Sequence, residues 1–154
     1  MSNYIKTISL SFLFLNFISC NNPTPSGFWK NFHSDKIVDK FSDNGPWGGK
    51  TKISWEFKNS IEEKELLEFA SSNGWIFNDE IILDSDNLNE ENYSDEILKS
   101  NISTNSKYKN NTIYKFKTGW IAVKAGNQSE TEINGFAILN SNRTKLTVFH
   151  TWGE

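Results

Sequence analysis

The sequence contains a single cysteine, Cys20, which follows an apolar segment at residues 8–18. One cysteine excludes an intramolecular disulfide and any zinc site built on several thiolates. The fold must therefore be stabilised by an apolar core, for which the chain carries six Trp, twelve Phe and four Tyr. Rings of this size bury large apolar areas, and a length of 154 residues suits one domain.

The apolar segment is too short to span a membrane. A helix over residues 8–18 would reach about 16 Å at ~1.5 Å per residue, against a hydrocarbon core of about 30 Å. The segment follows a short polar start with one positive charge, Lys6, and precedes the small residue Ser19. Charge, apolar segment and small residue in this order are typical of a secretory signal peptide.

The junction at residues 17–20, F-I-S-C, resembles the lipobox of bacterial lipoproteins. The resemblance implies that residues 1–19 are removed, that Cys20 takes a diacylglyceryl thioether, and that its freed amine is acylated with a chain such as palmitate. Asn21, rather than Asp, follows the cysteine, which implies sorting to the outer membrane of a Gram-negative envelope. An ordinary secretory signal is the alternative, but no A-x-A-like site ends the apolar segment. Two or three acyl chains would anchor the chain stably.

The remaining chain divides into a tether and a domain. Residues 20–27 are polar and contain two prolines, as in a spacer, and we expect one globular domain over residues 28–154. Apolar side chains at mostly three- to five-residue steps over residues 28–41 predict a helix, with an irregular arm packed on the sheet as the alternative. The Gly- and Pro-containing residues 42–49 predict a loop.

A strand–helix–strand unit follows this loop. Residues 51–58 alternate apolar and polar side chains, as in a half-buried strand. A capping box with Ser60 at the N-cap and Glu63 at N3 predicts a helix, which ends near Gly74 because glycine favours the left-handed terminating conformation. A second strand is predicted over residues 75–83.

The second half of the chain is predicted to consist mainly of strands. A short helix is expected over residues 95–100, and residues 111–125 predict two strands bent or joined near Thr118 and Gly119. Residues 135–149 alternate around a polar turn and predict a hairpin. Together the elements predict an α+β fold, with a small antiparallel sheet and one principal helix on one face.

Two segments match ligand-binding loops only in part. Residues 44–51 contain Gly-Gly-Lys-Thr, but Asn44 stands where a P-loop has glycine, and the segment opens a predicted strand instead of a helix. The acidic residues 84–90 lack the glycine of a calcium-binding EF-hand loop. We therefore expect no nucleotide, no metal and no cofactor. A net charge of −3 gives no reason to expect nucleic acid.

No catalytic residues are assigned from the sequence. It contains neither G-x-S-x-G nor H-E-x-x-H, and lipidation would consume the Cys20 thiol. A His150–Glu154 pair can be drawn, but it has no third member and lies at a chain end. An ordinary edge-strand histidine is the favoured interpretation of His150. We therefore expect a protein that is not an enzyme.

Three tryptophans outside the firm patterns are the candidate binding residues, Trp29, Trp47 and Trp152. Trp47 lies in an S-D-x-G-P-W-G-G segment that resembles one in small bacterial lipoproteins, and this resemblance implies no activity. Burial of Trp47 beside Trp55 is the favoured interpretation. An exposed platform for a glycan or a protein is the alternative.

These observations predict a lipid-anchored envelope protein that acts as a non-enzymatic binding or structural module. Its expected partners are the membrane, through the lipid on Cys20, and a protein or a glycan. An immunity protein against a toxin is one alternative, because small, acidic, anchored domains resemble many of those. A glycan-binding or weakly hydrolytic module is the other, and it predicts exposed Trp rings or a carboxylate pair facing a cleft.

Overall fold

The computed structural model describes residues 25–83, 110–123 and 130–154. These residues form a mixed α+β fold of mostly sheet character, with one six-stranded sheet and one α-helix. The helix predicted over residues 95–100 lies outside the described residues. After a 3-10 turn at Gly27–Asn31, the elements in chain order are β1 (Ile37–Asn44), β2 (Gly48–Glu56), α1 (Glu63–Ser72), β3 (Ile76–Ile82), β4 (Thr112–Val123), β5 (Glu130–Leu139) and β6 (Lys145–Gly153).

The strands lie in the order β1-β2-β6-β5-β4-β3, and all neighbours are antiparallel. The predicted hairpin is confirmed as β5 and β6, which pair from Gly135 with His150 to Leu139 with Leu146. β2 and β3 flank α1 in the sequence, yet β6, β5 and β4 lie between them in the sheet. The connection through α1 therefore crosses the sheet instead of joining neighbouring strands.

The main core lies between the sheet and α1. Leu66 and Ala70, four residues apart on one face of α1, are fully buried against it. The ring centroid of Trp29, from the 3-10 turn, lies 5.3 Å from that of Trp75, in an edge-to-face arrangement. Aromatic pairs of this kind contribute about 0.5–1.5 kcal/mol beyond area burial. Large rings thus stabilise this core, as a chain without disulfides requires.

The opposite face of the sheet is divided into two parts. Around β4 and β5 it carries a second apolar cluster, which consists of Leu83, Ile113, Phe136, Ile138 and Phe149. Around β1, β2 and β6 it carries polar side chains, among them Lys52, Ser54 and Thr147. This second part is the half-buried surface that the alternation of β2 predicts.

The helix predicted over residues 28–41 is wrong. Only the short 3-10 turn is helical, and Ile37–Asn44 forms the edge strand β1 instead. Trp29 and Phe32 are buried, whereas Phe41, from the same apolar stripe, is 47% exposed. Pairing with the free edge of β2 satisfies the backbone groups of β1, and this outweighs a weak helical pattern. For the same reason the loop predicted over residues 42–49 shortens to residues 45–47.

The capping box at Ser60 is also wrong. The helix begins at Glu63, Glu62 precedes it in an extended conformation, and no side chain caps it. The backbone N–H of Ile61 donates to the carbonyl oxygen of Arg143 at 3.0 Å, in the turn between β5 and β6. This bond holds the chain extended where a capping box would need helical geometry.

The segment around Gly119 forms one distorted strand, β4, and not two. Gly119 has φ of +77°, and the register between β4 and β5 shifts between Lys117 and Ala122. A positive φ favours glycine and breaks the regular pleat at this point. The prediction of two strands is therefore wrong, and the predicted junction near Gly119 is the point at which the single strand is distorted.

Candidate functional site

Three large apolar side chains are exposed at one end of the sheet. Trp47 is 78% exposed, Trp120 is 50% exposed and Ile121 is 47% exposed. Trp47 occupies the turn between β1 and β2, and the other two follow the distortion of β4 at Gly119. We call Trp47, Trp120 and Ile121 the aromatic tip.

Backbone pairing brings the two parts of the aromatic tip to one strand end. Gly48, next to Trp47, pairs with Gly153 of β6. Ala122, next to Ile121, pairs with the same Gly153. Because neighbouring strands lie ~4.8 Å apart, the two backbones are about 10 Å apart at this point.

Gly49 and Trp152 form the support behind the tip. A Cβ atom at Gly49 would collide with the carbonyl oxygen of Asp43 and lie 2.6 Å from the Trp152 ring. Trp152 therefore covers β2 at a position that only glycine leaves free. Its ring stacks on His150, with the centroids 5.0 Å apart. The Gly-Gly pair of the partial phosphate-loop motif thus lies in a strand and allows close packing.

A buried polar cluster of Thr118, Asn134 and His150 lies beneath the tip. The Asn134 amide nitrogen donates to the carbonyl oxygens of Trp120 at 2.8 Å and Thr151 at 2.7 Å. The Thr118 hydroxyl donates to Asn134 Oδ1 at 2.7 Å and accepts from the backbone N–H of Trp120 at 3.3 Å. These bonds fix the bent part of β4 against β5 and β6.

His150 completes this cluster as a neutral side chain. Its Nε2 lies 3.0 Å from the Thr118 hydroxyl oxygen, and burial lowers the pKa of His150 from 6.5 to about 3. β6 is flanked by β2 and β5, so the expected edge-strand position of His150 is wrong. Glu154 is exposed, and its backbone N–H donates to the carbonyl oxygen of Trp47. His150 therefore helps to hold the strands beneath the tip together, through its contacts with Thr118 and Trp152.

A groove of about 420 Å³ lies on the sheet face opposite α1. On its floor, the Ser54 and Thr147 hydroxyl oxygens are 3.0 Å apart. Lys52 Nζ lies 2.7 Å from Asp39 Oδ2 and 5.9 Å from the centroid of the Phe149 ring. The groove thus combines hydroxyls, a paired charge and apolar surface.

The far end of the groove carries a second ion pair and two amides. Lys145 Nζ binds Glu56 Oε1 there. Asn111 and Asn140 also line this end, and Val38 and Ile138 add apolar surface. Neither the aromatic tip nor the groove is signalled by a sequence motif. The signals that could have found them are Gly119, which turns Trp120 outwards, and the polar side of the β2 alternation.

The structure separates the three tryptophans that the sequence singles out. Trp29 is fully buried in the main core, so its ring is not accessible to a ligand in this fold. Trp152 is partly buried behind the tip, and Trp47 is the most exposed of the three. The favoured burial of Trp47 beside Trp55 is therefore wrong. Trp120 joins Trp47 at the tip, although no sequence pattern singles it out.

The chain matches no protein-family model, no curated protein and no solved structure. Within residues 25–83, 110–123 and 130–154, no group of three or more His, Cys, Asp or Glu side chains could hold a metal ion. No helix in that part of the chain is long and apolar enough to cross a membrane.

Proposed function

We propose that this chain is a lipid-anchored envelope protein that binds a short glycan segment in the groove and catalyses no reaction. The lipid on Cys20 would provide the anchor, as the signal-peptide pattern and the lipobox resemblance imply. The observation that carries the binding proposal is the groove itself. Its volume of about 420 Å³ lies within the range of about 300–1,000 Å³ typical of ligand sites.

The chemistry of the groove favours a neutral, hydroxyl-rich ligand. Both lysines that line it are paired with carboxylates, Lys52 with Asp39 and Lys145 with Glu56. The charges therefore compensate each other and give no net attraction for an ion. The same side chains present several donors and acceptors to hydroxyl groups, and Phe149 adds apolar surface for the C–H face of a sugar ring.

The groove favours binding over hydrolysis. Glycoside hydrolysis uses two carboxyl groups, one of which gives up a proton while the other acts as base or nucleophile. Asp39 and Glu56 are each engaged by a lysine. A carboxylate in an ion pair is suited to fixing a hydroxyl group and poorly suited to acting as a general acid.

The test is binding of the acylated mature protein to an array of purified envelope glycans. Thr147→Phe places a ring on the floor of the groove, and Ser71→Phe adds the same ring on the exposed side of α1 as the matched control. We expect wild type and Ser71→Phe to bind the same glycan, and Thr147→Phe to bind it about ten-fold more weakly or worse. Equal binding by Thr147→Phe, or no glycan bound by the wild type, would contradict the proposal.

A further inference from the structure

The described part of the chain begins near the aromatic tip, at the end of the predicted tether from Cys20. The Ser26 and Thr51 hydroxyl groups form a hydrogen bond, and both residues are buried. Thr51 lies three residues along β2 from Gly48, a distance of about 10 Å at ~3.3 Å per residue. Cys20 precedes Ser26 by six residues, so the chain between them spans at most about 20 Å. The segment is therefore long enough for a lipid on Cys20 to bring this end of the sheet to the membrane.

Exposed apolar side chains are concentrated at the same end. Besides the aromatic tip, Ile76 is 66% exposed and Phe77 is 43% exposed. They begin β3, which pairs antiparallel with β4, so they lie toward the end at which β4 forms the tip. Exposed apolar patches mark interaction surfaces. This one contains two tryptophans, the residue type that favours the boundary between water and hydrocarbon.

The groove extends toward the other end of the sheet. Glu56 and Lys145 form the last pair of β2 with β6, whereas Gly48 and Gly153 form the first. The two pairs lie eight residue steps apart along β2, which is about 26 Å at ~3.3 Å per residue. The end near the tip thus carries both exposed tryptophans, whereas the groove end carries the ion pair of Lys145 with Glu56.

We propose that the aromatic tip sits in the headgroup layer of the membrane that carries the Cys20 lipid. The sheet then stands on its tip, and the groove is held away from the bilayer, open to the envelope space. The indole rings of Trp47 and Trp120 place apolar surface near the acyl chains and their N–H groups among the headgroups. This inference rests on the proposed lipidation of Cys20.

The experiment measures tryptophan fluorescence of the mature protein, purified from the cells that process it, in phosphatidylcholine vesicles whose acyl chains are brominated close to the headgroup. Bromine quenches only rings that lie near it. We expect quenching in the wild type, and loss of more than half of it when Trp47→Ala and Trp120→Ala are combined. Ile82→Ala is the matched control, because this side chain is 58% exposed at the opposite end of the sheet. It should leave the quenching unchanged.

Intact-mass measurement on the same samples separates this inference from the anchor on which it rests. If the protein carries acyl chains and stays on the vesicles, yet the double variant is quenched as strongly as the wild type, the tip does not contact the membrane and the anchor stands. If the mass shows no acyl chains, the anchor itself is overturned, and the membrane-facing tip with it. Circular dichroism of the double variant is the check that it is folded.

Discussion

His150 donates a hydrogen bond from Nε2 to the Thr118 hydroxyl oxygen, 3.0 Å away. The direction of this hydrogen bond follows from the neighbouring side-chain amide of Asn134. Asn134 uses its nitrogen to donate to two backbone carbonyls, so its Oδ1 must accept, and the Thr118 hydroxyl gives its proton to that oxygen. Only Nε2–H can then donate to Thr118. Nδ1 is left without a proton and, among the described residues, without a hydrogen-bond partner.

Protonation of His150 should therefore couple folding to pH. Burial lowers the pKa of His150 in the folded state from 6.5 to about 3. Between these two pH values the unfolded chain binds a proton at His150 and the folded chain does not. The contribution of neutral His150 to the free energy of unfolding is complete above pH 6.5 and is lost progressively as the pH falls toward 3. Each pH unit within that window removes about 1.4 kcal/mol. We expect the free energy of unfolding in urea to fall by about 2 kcal/mol between pH 7.5 and pH 5.

The variant His150→Gln serves as the comparison, because glutamine has no titratable group. Its free energy of unfolding should change much less over the same pH range, whatever its absolute stability. The range ends at pH 5 because carboxylates such as Glu132, whose pKa is lowered by a hydrogen bond from Lys117, titrate at lower pH. If the free energy of unfolding changed equally with pH in the two proteins, His150 would be hydrated and able to take up a proton in the folded state.

Asn134 should be one of the most sensitive polar positions. It is 1% exposed, and its amide connects β5 to the Trp120 carbonyl of β4 and the Thr151 carbonyl of β6. Asn134→Leu keeps the volume but removes the amide donor from these two partly buried carbonyls, at about 1–3 kcal/mol for each group left unpaired. We expect a loss of about 3 kcal/mol in urea unfolding. Asn142→Ala, in the exposed turn before β6, should change stability by less than about 0.5 kcal/mol, and similar losses for both would contradict this role.

Regular alternation made part of the fold predictable. Strand β2 alternates Ile53 and Trp55 with polar residues, and the hairpin of β5 and β6 is marked by a polar turn between two apolar stretches. The sequence-based predictions were wrong where pairing with a distant part of the chain determined the conformation of a segment. β1 forms because β2 offers it an edge, and α1 starts late because Ile61 is bonded to the distant Arg143. Neither cause is visible in a local pattern.

The candidate site was predictable only in part, for a similar reason. Trp47 was among the candidates because its loop fits no regular pattern, but its exposure depends on how tightly β1 and β2 turn. Trp120 was missed because its neighbours have strand composition, and Gly119 alone signals that the strand is distorted there. The groove could not be predicted because its side chains come from several strands. The order of those strands in the sheet is set by long-range pairing, which no local pattern shows.

Gly49→Ala should loosen the support of the aromatic tip. A methyl group there meets the Asp43 carbonyl and the Trp152 ring, so either β1 or Trp152 must move. We expect a loss of about 1–3 kcal/mol in urea unfolding, together with a red shift of tryptophan emission as Trp152 becomes hydrated. Lys50→Ala, at the next and exposed position of β2, is the matched control and should show neither effect. Unchanged stability in Gly49→Ala would show that the close approach is not required.

Cys20→Ala should abolish anchoring without affecting the domain. The thioether can form only on a cysteine thiol, and the only cysteine of the chain is Cys20. We expect the variant to remain uncleaved after Ser19 and to take up no labelled palmitate, whereas the wild type is cleaved and labelled. Asn21→Ala, one residue later, keeps the thiol and should be processed and labelled as the wild type is. A Cys20→Ala protein that still matures at this site and incorporates palmitate would exclude the anchor, because no other thiol exists to carry it.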